Sequence, residues 1–352
     1  MKNSDVFIFG AGGAASWVLA GFKRAGVAVK GFLDESDTCS SAVSGLPVYS
    51  PDDYRISKIE RGSCPVIIAI MNPAVDVLAI SHRLSGYGWR HLYSYAEFGK
   101  EELEKNGRHC GVLSPGPLNT TGKELAQVRK LLSDEHSQRL LDGFVNFVRT
   151  FDESQFPEIV SRPYFPECLP RWKAPLRIID CGAFDGDTLR AAEAAGYHIE
   201  ASASFEPDPQ NYSRLAVETN TRIGAEAWPC GVAGKTGILK FYSQGDTGSS
   251  LNSQGDISVQ CVALDDALPS FAPTLIKMDV EGAEEEALKG AERMLRRYSP
   301  ELAISVYHRP EDIWRIPLWL YEIWGDKARY FLRRHSREVA DTVLYVFPEK
   351  NS

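Results

Sequence analysis

Leu176-Arg177-Ile178-Ile179-Asp180-Cys181-Gly182-Ala183-Phe184-Asp185-Gly186-Asp187 is the stretch that decides the fold of the larger part of this chain. Its opening residues form an apolar run, the pattern of a buried strand. The run ends on Asp180 and turns through Gly182 and Gly186 into a helix beginning near Thr188. Glycine tolerates positive φ and lets backbone approach a ligand closely. A loop at the carboxyl end of the first strand is where open α/β sheets bind nucleotide-like ligands. Asp180, Asp185 and Asp187 give this loop an acidic charge. That charge would repel a pyrophosphate and suits a ligand carrying ammonium and sulfonium groups.

Downstream, the pattern continues as an α/β unit. Strands are predicted at 176–181, 201–206, 225–230, 237–243, 257–263, 274–279, 301–307 and 341–347. The second ends on Glu206-Pro207-Asp208, and an acidic residue about 20 residues past a glycine loop is the expected partner of ribose hydroxyls. The third ends at Cys230-Gly231-Val232, whose backbone would border the base. Leu275-Ile276-Lys277-Met278 leads into Asp279-Val280-Glu281-Gly282-Ala283-Glu284 and a helix with apolar positions Val280, Ala283, Ala287, Leu288, Ala291 and Leu295. Asp279 and Glu281 are left at the mouth of the sheet, and strand 301–307 delivers His308 to the same edge. Histidine is the usual general base near neutral pH. A divalent cation between Asp279, Glu281 and His308 is chemically possible, but their spacing is no metal signature and no metal is expected. Ser249-Ser250 would line a pocket or form a surface turn.

These pieces resemble a known family. Leu132-Ser133-Asp134-Glu135, Tyr164-Phe165-Pro166, the Asp180–Asp187 loop, Phe205-Glu206-Pro207, Leu264-Asp265-Asp266, the Ile276–Glu284 string and Tyr307-His308-Arg309-Pro310-Glu311-Asp312 are similar to segments of FkbM methyltransferases. The resemblance implies a class I (Rossmann-like) methyltransferase domain with S-adenosyl-L-methionine as cofactor. It implies cofactor contacts from Asp180, Gly182, Glu206 and Asp279, to which the residue reading adds Ala183, Phe184, Asp185, Pro207, Gly231 and Val232. The expected reaction is in-line methyl transfer to a hydroxyl of a sugar, nucleotide-linked sugar or related small molecule. His308 is the expected base, with Asp279 and Glu281 orienting it or the acceptor.

A smaller α/β unit precedes this one. Val6-Phe7-Ile8-Phe9 is a strand, Gly10-Ala11-Gly12-Gly13-Ala14-Ala15 a glycine turn, and Val29 to Leu33 a second strand ending on Asp34. Gly10, Gly12, Gly13, Ala15 and Asp34 have the form of a dinucleotide fingerprint. The unit resembles the small Rossmann-like domains attached to sugar-modifying enzymes, which implies a binding module for a nucleotide-linked or phosphorylated acceptor. A structural or dimerising role, and an NAD(P)-dependent enzyme led by this motif, are the alternatives, as is a non-catalytic scaffold. The expected boundaries are 1–112 for this domain, 113–170 for a helical linker and 171–352 for the methyltransferase domain.

Composition sets the outer limits. Two domains are the natural expectation for 352 residues. A net charge of −8 without a basic block argues against nucleic acid. Seven scattered cysteines, none in a CxxC pair, suit reduced thiols in the cytoplasm. No apolar run is long enough to span a bilayer, and Met1-Lys2-Asn3-Ser4-Asp5 does not read as a signal peptide. The expected partners are a carbohydrate-related small molecule and, in a homodimer, a second copy of the chain.

Overall fold

The computed structural model describes residues 5–36, 42–242, 250–251 and 257–349. They divide into two compact units. The first comprises Met1–Gly116, Asp142–Phe156 and Ser336–Val339, the second Pro117–Leu141, Pro157–His335 and Ala340–Ser352.

In the first unit, β1 (Val6–Phe9), α1 (Gly13–Ala25), β2 (Val29–Leu33), β3 (Ala42–Val43), β4 (Leu46–Tyr49), α2 (Lys58–Ser63), β5 (Pro65–Ile68), α3 (Val77–Gly86), β6 (His91–Ser94) and α4 (Tyr95–Asn106) follow in order. The sheet runs β3-β4-β2-β1-β5-β6, parallel except where β3 folds back on β4. Parallel strands must be buried on both faces, and β1 accordingly is buried along its whole length. Beside Val6–Phe9 and Val29–Leu33, the apolar run Pro65–Met71 predicts a third strand, which is β5; β4 and β6 go beyond these three. Both are short, half-buried segments in which Pro47 or the exposed His91 interrupts the apolar pattern. α2 and α4 each start on a reciprocal capping box, Ser57 with Glu60 and Ser94 with Glu97, which satisfies amide groups that a helix start leaves open.

The segment after Pro117 holds α5 (Gly122–Leu131) and α6 (Glu135–Thr150). A single helix is expected from about 121 to 149, but the chain breaks at Leu132–Asp134. There Leu132 forms an isolated bridge to Tyr330, and Asp134 accepts from the Ser137 amide at 2.8 Å, starting a new helix.

The second unit continues with β7 (Leu176–Cys181), α7 (Asp187–Ala194), β8 (Ile199–Phe205), α8 (Pro209–Asn220), β9 (Ala225–Trp228), β10 (Gly231–Val232), β11 (Gly237–Tyr242), β12 (Ser250–Leu251), β13 (Ile257–Val262), α9 (Leu264–Ala267), β14 (Leu275–Met278), α10 (Glu284–Lys289), α11 (Glu292–Tyr298), β15 (Glu301–Ser305), α12 (Asp312–Trp324), β16 (Ala328–Arg334) and β17 (Thr342–Pro348). Its main sheet has seven strands in the order β16-β17-β15-β14-β7-β8-β9. Only β17 is antiparallel to its neighbours. The chain leaves β7 toward β9 on one side and returns at β14 on the other, so the sheet's switch point lies between β7 and β14. A separate sheet runs β10-β13-β11-β12.

Two sequence readings change here. The third strand stops at Trp228, and Gly231 and Val232 open β10 of the second sheet instead. β16 is absent from the expected strands, because Arg329, Arg333 and Arg334 mask its apolar pattern. Arg333 is nonetheless buried, held by Asp134 at 2.5 Å and by the Ser137 hydroxyl at 2.9 Å. The reading of Ser249 falls outside the described residues. None of the six described cysteines is in a disulfide. No helix among the described residues is long and apolar enough to cross a membrane.

Candidate active site

The glycine loop follows β7 at the switch point. Gly182 has φ of +77°, and a Cβ placed there would lie 1.9 Å from the Asp279 carbonyl oxygen, so only glycine fits against β14. The Gly182 and Ala183 amides both donate to the Phe205 carbonyl at 3.0 Å, binding the loop to β8. Phe184 takes a positive φ of 47°, and Gly186, at 88°, opens α7. The Phe184 amide donates to Glu206 Oε2 at 2.9 Å, and the Asp208 amide to Glu206 Oε1 at 2.8 Å. The acid ending the second strand is thereby joined to the loop ending the first. Burial pushes the Glu206 carboxyl up to about 7, against the two amide donors that favour its charged form. Pro207 beside it is half-buried, while Gly231 and Val232 are buried.

The loop's charge is answered inside the protein. Asp180 is fully buried, with Lys277 Nζ 3.2 Å from its Oδ1. Lys277 also donates to the Gly182 carbonyl at 2.5 Å. Burial lowers the Lys277 ammonium, but Asp180, Asp279 and Asp187 outweigh it and hold the group charged. Burial raises Asp180 to about 6 against that attraction. Asp185 pairs with Arg190 at 2.5 Å. Three open carboxylates are expected around the ligand from the sequence. In the structure Asp180 turns inward and Asp185 is neutralised, so electrostatic selection by this loop is weaker than its composition suggests.

The third group lies at the ends of β14 and β15. Helix is expected directly after Asp279, but Glu281 and Gly282 adopt φ of 56° and 93° and make a turn, and α10 starts only at Glu284. The turn brings three carboxylates onto His308. Its Nδ1 lies 2.7 Å from Glu284 Oε1, and its Nε2 lies 3.4 Å from both Asp279 Oδ1 and Glu281 Oε2. Burial lowers the imidazole, but Glu284, Glu281 and Asp279 together lift it to about 10. At neutral pH the imidazole within this cluster therefore carries its proton and acts as a donor. Asp279 is correspondingly held below the usual carboxylate range, because His308 and Lys277 outweigh its burial.

Tyr164, Lys277 and Glu284 belong to this centre, although the sequence assigns them no role. The Tyr164 hydroxyl donates to Asp279 Oδ2 at 2.8 Å. Its ring lies 5.2 Å from Lys277 Nζ, a cation–π contact. Tyr164 sits at φ of +65°, pinned by its amide on the Tyr345 hydroxyl at 3.0 Å and by Trp172 Nε1 on its carbonyl at 2.9 Å. The signals are present, since Lys277 and Glu284 stand in the Ile276–Glu284 string and Tyr164 before Phe165-Pro166.

The first unit carries the other glycine turn. Gly10 has φ of +100°, and α1 opens on Gly12 without a side-chain cap. Asp34 Oδ2 accepts from the Ala11 amide at 3.0 Å and Oδ1 from the Ser36 amide at 2.8 Å. Ala15 is buried in the first turn of α1, its amide donating to the Gly12 carbonyl at 3.0 Å.

Residues 180–337 match the family model described as the methyltransferase FkbM domain. This part of the chain is a methyltransferase FkbM domain. Residues 5–75 match the model of the PglD N-terminal domain. A crystal structure of a methyltransferase FkbM from Methylobacillus flagellatus KT is similar over 98% of this chain and 90% of that one, at 23% identity and a TM-score of 0.66. An rRNA methylase from Streptococcus thermophilus covers 51% of this chain and 90% of its own, at 13% identity and a TM-score of 0.32. No curated protein matches the chain. The FkbM domain thus occupies a class I methyltransferase-like α/β fold, preceded by a smaller α/β domain.

Proposed function

We propose that the FkbM domain transfers the methyl group of S-adenosylmethionine to a hydroxyl of a sugar, a nucleotide-linked sugar or a related small molecule. The observation that carries this reading is the union of the glycine loop with Glu206 through the Phe184 amide at 2.9 Å. It sets a carboxylate at the end of β8 beside a loop whose backbone can lie against a ligand, which supports a ribose-accepting role for Glu206. Glu206 retains oxygen lone pairs for two hydroxyls, since each oxygen accepts only one amide. Asp180, Gly182, Ala183, Phe184, Asp185, Pro207, Gly231, Val232 and Asp279 complete the proposed cofactor site.

S-Adenosylmethionine supplies a methyl group already activated as a sulfonium. The chain's task is then to position the acceptor and accept its proton. Asp279, Glu281 and His308 are the proposed catalytic residues, acting together. In the free protein His308 holds its proton among the carboxylates, so the first proton acceptor is a carboxylate oxygen of Asp279 or Glu281, each 3.4 Å from the imidazole Nε2. His308 becomes a base in its own right once its proton is displaced. The PglD-like domain, with Gly10, Gly12, Gly13, Ala15 and Asp34, is proposed to bind the nucleotide-linked part of the acceptor, where the uncapped start of α1 suits phosphate.

Calorimetric titration with S-adenosylhomocysteine and with NAD tests the reading. S-Adenosylhomocysteine should bind in the micromolar range or tighter, and tight NAD binding in its absence would overturn the proposal. Incubating a cell extract with the protein and isotopically labelled S-adenosylmethionine would then name the acceptor by mass spectrometry.

The pH dependence of that binding has a defined sign. Glu206 titrates at about 7, and a ribose hydroxyl donates to the ionised form. S-Adenosylhomocysteine affinity should be flat above pH 8 and fall up to about tenfold per unit as pH drops below 7. Glu206→Gln should abolish this acid limb. An unchanged limb in that variant assigns the titration to another group.

A further inference from the structure

We infer that Asp279, Glu281 and His308 form a divalent-cation site whose imidazole is oriented from behind by Glu284. The sequence spacing gives no reason to expect it. The turn at Glu281 and Gly282 creates it by folding the carboxylates back over the end of β15.

Three observations carry the inference. First, Glu284 is wholly buried, and its Oε1 takes both His308 Nδ1 at 2.7 Å and the Val280 amide at 2.9 Å. A carboxylate behind one ring nitrogen, with the other nitrogen facing a carboxylate cluster, is the arrangement that orients metal-ligating histidines. Second, Nε2 stands 3.4 Å from Asp279 Oδ1 and 3.4 Å from Glu281 Oε2. That exceeds the ~2.7–2.9 Å of a tight charge-assisted hydrogen bond. It matches the separation of about 3.0–3.4 Å between adjacent donors on a cation bound at about 2.1 Å. Third, Asp279 Oδ1 is a buried carboxylate oxygen with no donor in hydrogen-bond geometry among the described residues. Buried acceptors of that kind call for an ion or water. Asp279 and His308 also bring donor atoms within 4.8 Å of Glu284, the carboxylate that holds the ring from behind.

Asp312, also buried, adds a further carboxyl nearby, so negative groups outnumber the single imidazole. The mixed nitrogen and oxygen donors suit Mg²⁺, Mn²⁺ or Zn²⁺ rather than a soft ion. Bound there, the cation would lower the pKa of an acceptor hydroxyl. This last role rests on the proposed function, whereas the site itself does not.

Mn²⁺ titrated into the full chain, with free ion counted by electron paramagnetic resonance, provides the test. One saturable Mn²⁺ per chain is expected. His308→Asn and Asp279→Asn should each weaken it at least tenfold, and Glu284→Gln about 10–100-fold. Glu285→Gln, at a position paired with Lys289 at 3.0 Å outside the cluster, should leave it unchanged. Absence of saturable binding to folded wild-type protein up to about 1 mM would overturn the inference, as would undiminished binding by a folded His308→Asn variant. S-Adenosylhomocysteine titrated in excess EDTA separates the two readings. Cofactor binding without Mn²⁺ binding sinks only the metal site, while Mn²⁺ binding without cofactor binding sinks only the proposed function.

Discussion

Lys277→Met should destabilise the second unit by about 3–5 kcal/mol at pH 8, the cost of removing one partner of a buried ion pair. Lys277 is the cation set among Asp180, Asp187 and Asp279, and methionine of similar length leaves Asp180 and Asp187 without that charge, while Asp279 keeps His308. The penalty should shrink in acid, and the sign follows from Asp180. Burial already raises its folded-state value to about 6, and losing Lys277 raises it further. A carboxyl with a raised value binds its proton more tightly in the folded state, so stability falls as pH rises through that range. The difference between variant and wild type should therefore be larger at pH 8 than at pH 5. Urea unfolding at both values checks it, and at about 2–4 °C per kcal/mol the pH 8 melting temperature should drop by roughly 10 °C. Asp180→Asn added to Lys277→Met should restore part of the loss. A loss identical at both pH values would show that packing, and not charge, is what Lys277 supplies.

Gly182→Ala is the second large effect. Alanine at φ of +77° costs about 1–2 kcal/mol, and a methyl 1.9 Å from the Asp279 carbonyl oxygen must push β14 and the loop apart, for about 1–3 kcal/mol more. The expected sum is about 2–5 kcal/mol, with S-adenosylhomocysteine affinity falling at least about 100-fold, because loop and Asp279 move together. Gly12→Ala is the control. Its φ is −84°, and an added Cβ there meets nothing within 4 Å, so its stability should stay within about 0.5 kcal/mol of wild type. Equal losses at both positions would mean that the close approach at Gly182 is not what matters.

Much of this architecture is legible in the sequence, for a physical reason. The strands buried on both faces, such as Leu176–Cys181 and Leu275–Met278, are apolar apart from Arg177, Asp180 and Lys277. Their ends carry the polar residues, so the residue pattern alone places Asp180, Glu206, Asp279 and His308 at one sheet edge. What escapes is whatever needs tertiary context. β16 hides behind three arginines, and Arg333 is buried only because Asp134, nearly 200 residues earlier, supplies its counter-charge. Tyr164 reaches Asp279 across 115 residues, a distance no periodicity spans. The loop acids look open in the sequence, because nothing there shows that Lys277 will face Asp180. The turn at Glu281 is hidden because the apolar spacing from Val280 to Leu295 fits a helix as well as it fits a turn followed by two short helices.

The pairing of Lys277 with Asp180 has a consequence for how the sheet assembles. The two are directly opposite one another where β14 meets β7. Sliding β14 by one residue would turn Lys277 to the other face of the sheet. Sliding it by two would set Asp279 or Leu275 against Asp180, leaving either two apposed carboxylates or a buried acid with no cation. Apolar neighbours such as leucine, isoleucine and methionine are poor at telling such alignments apart, since one greasy neighbour packs much like the next. A single lysine in the middle of one run and a single aspartate near the end of the other act as a key and its notch, allowing the central strands to settle in one alignment only.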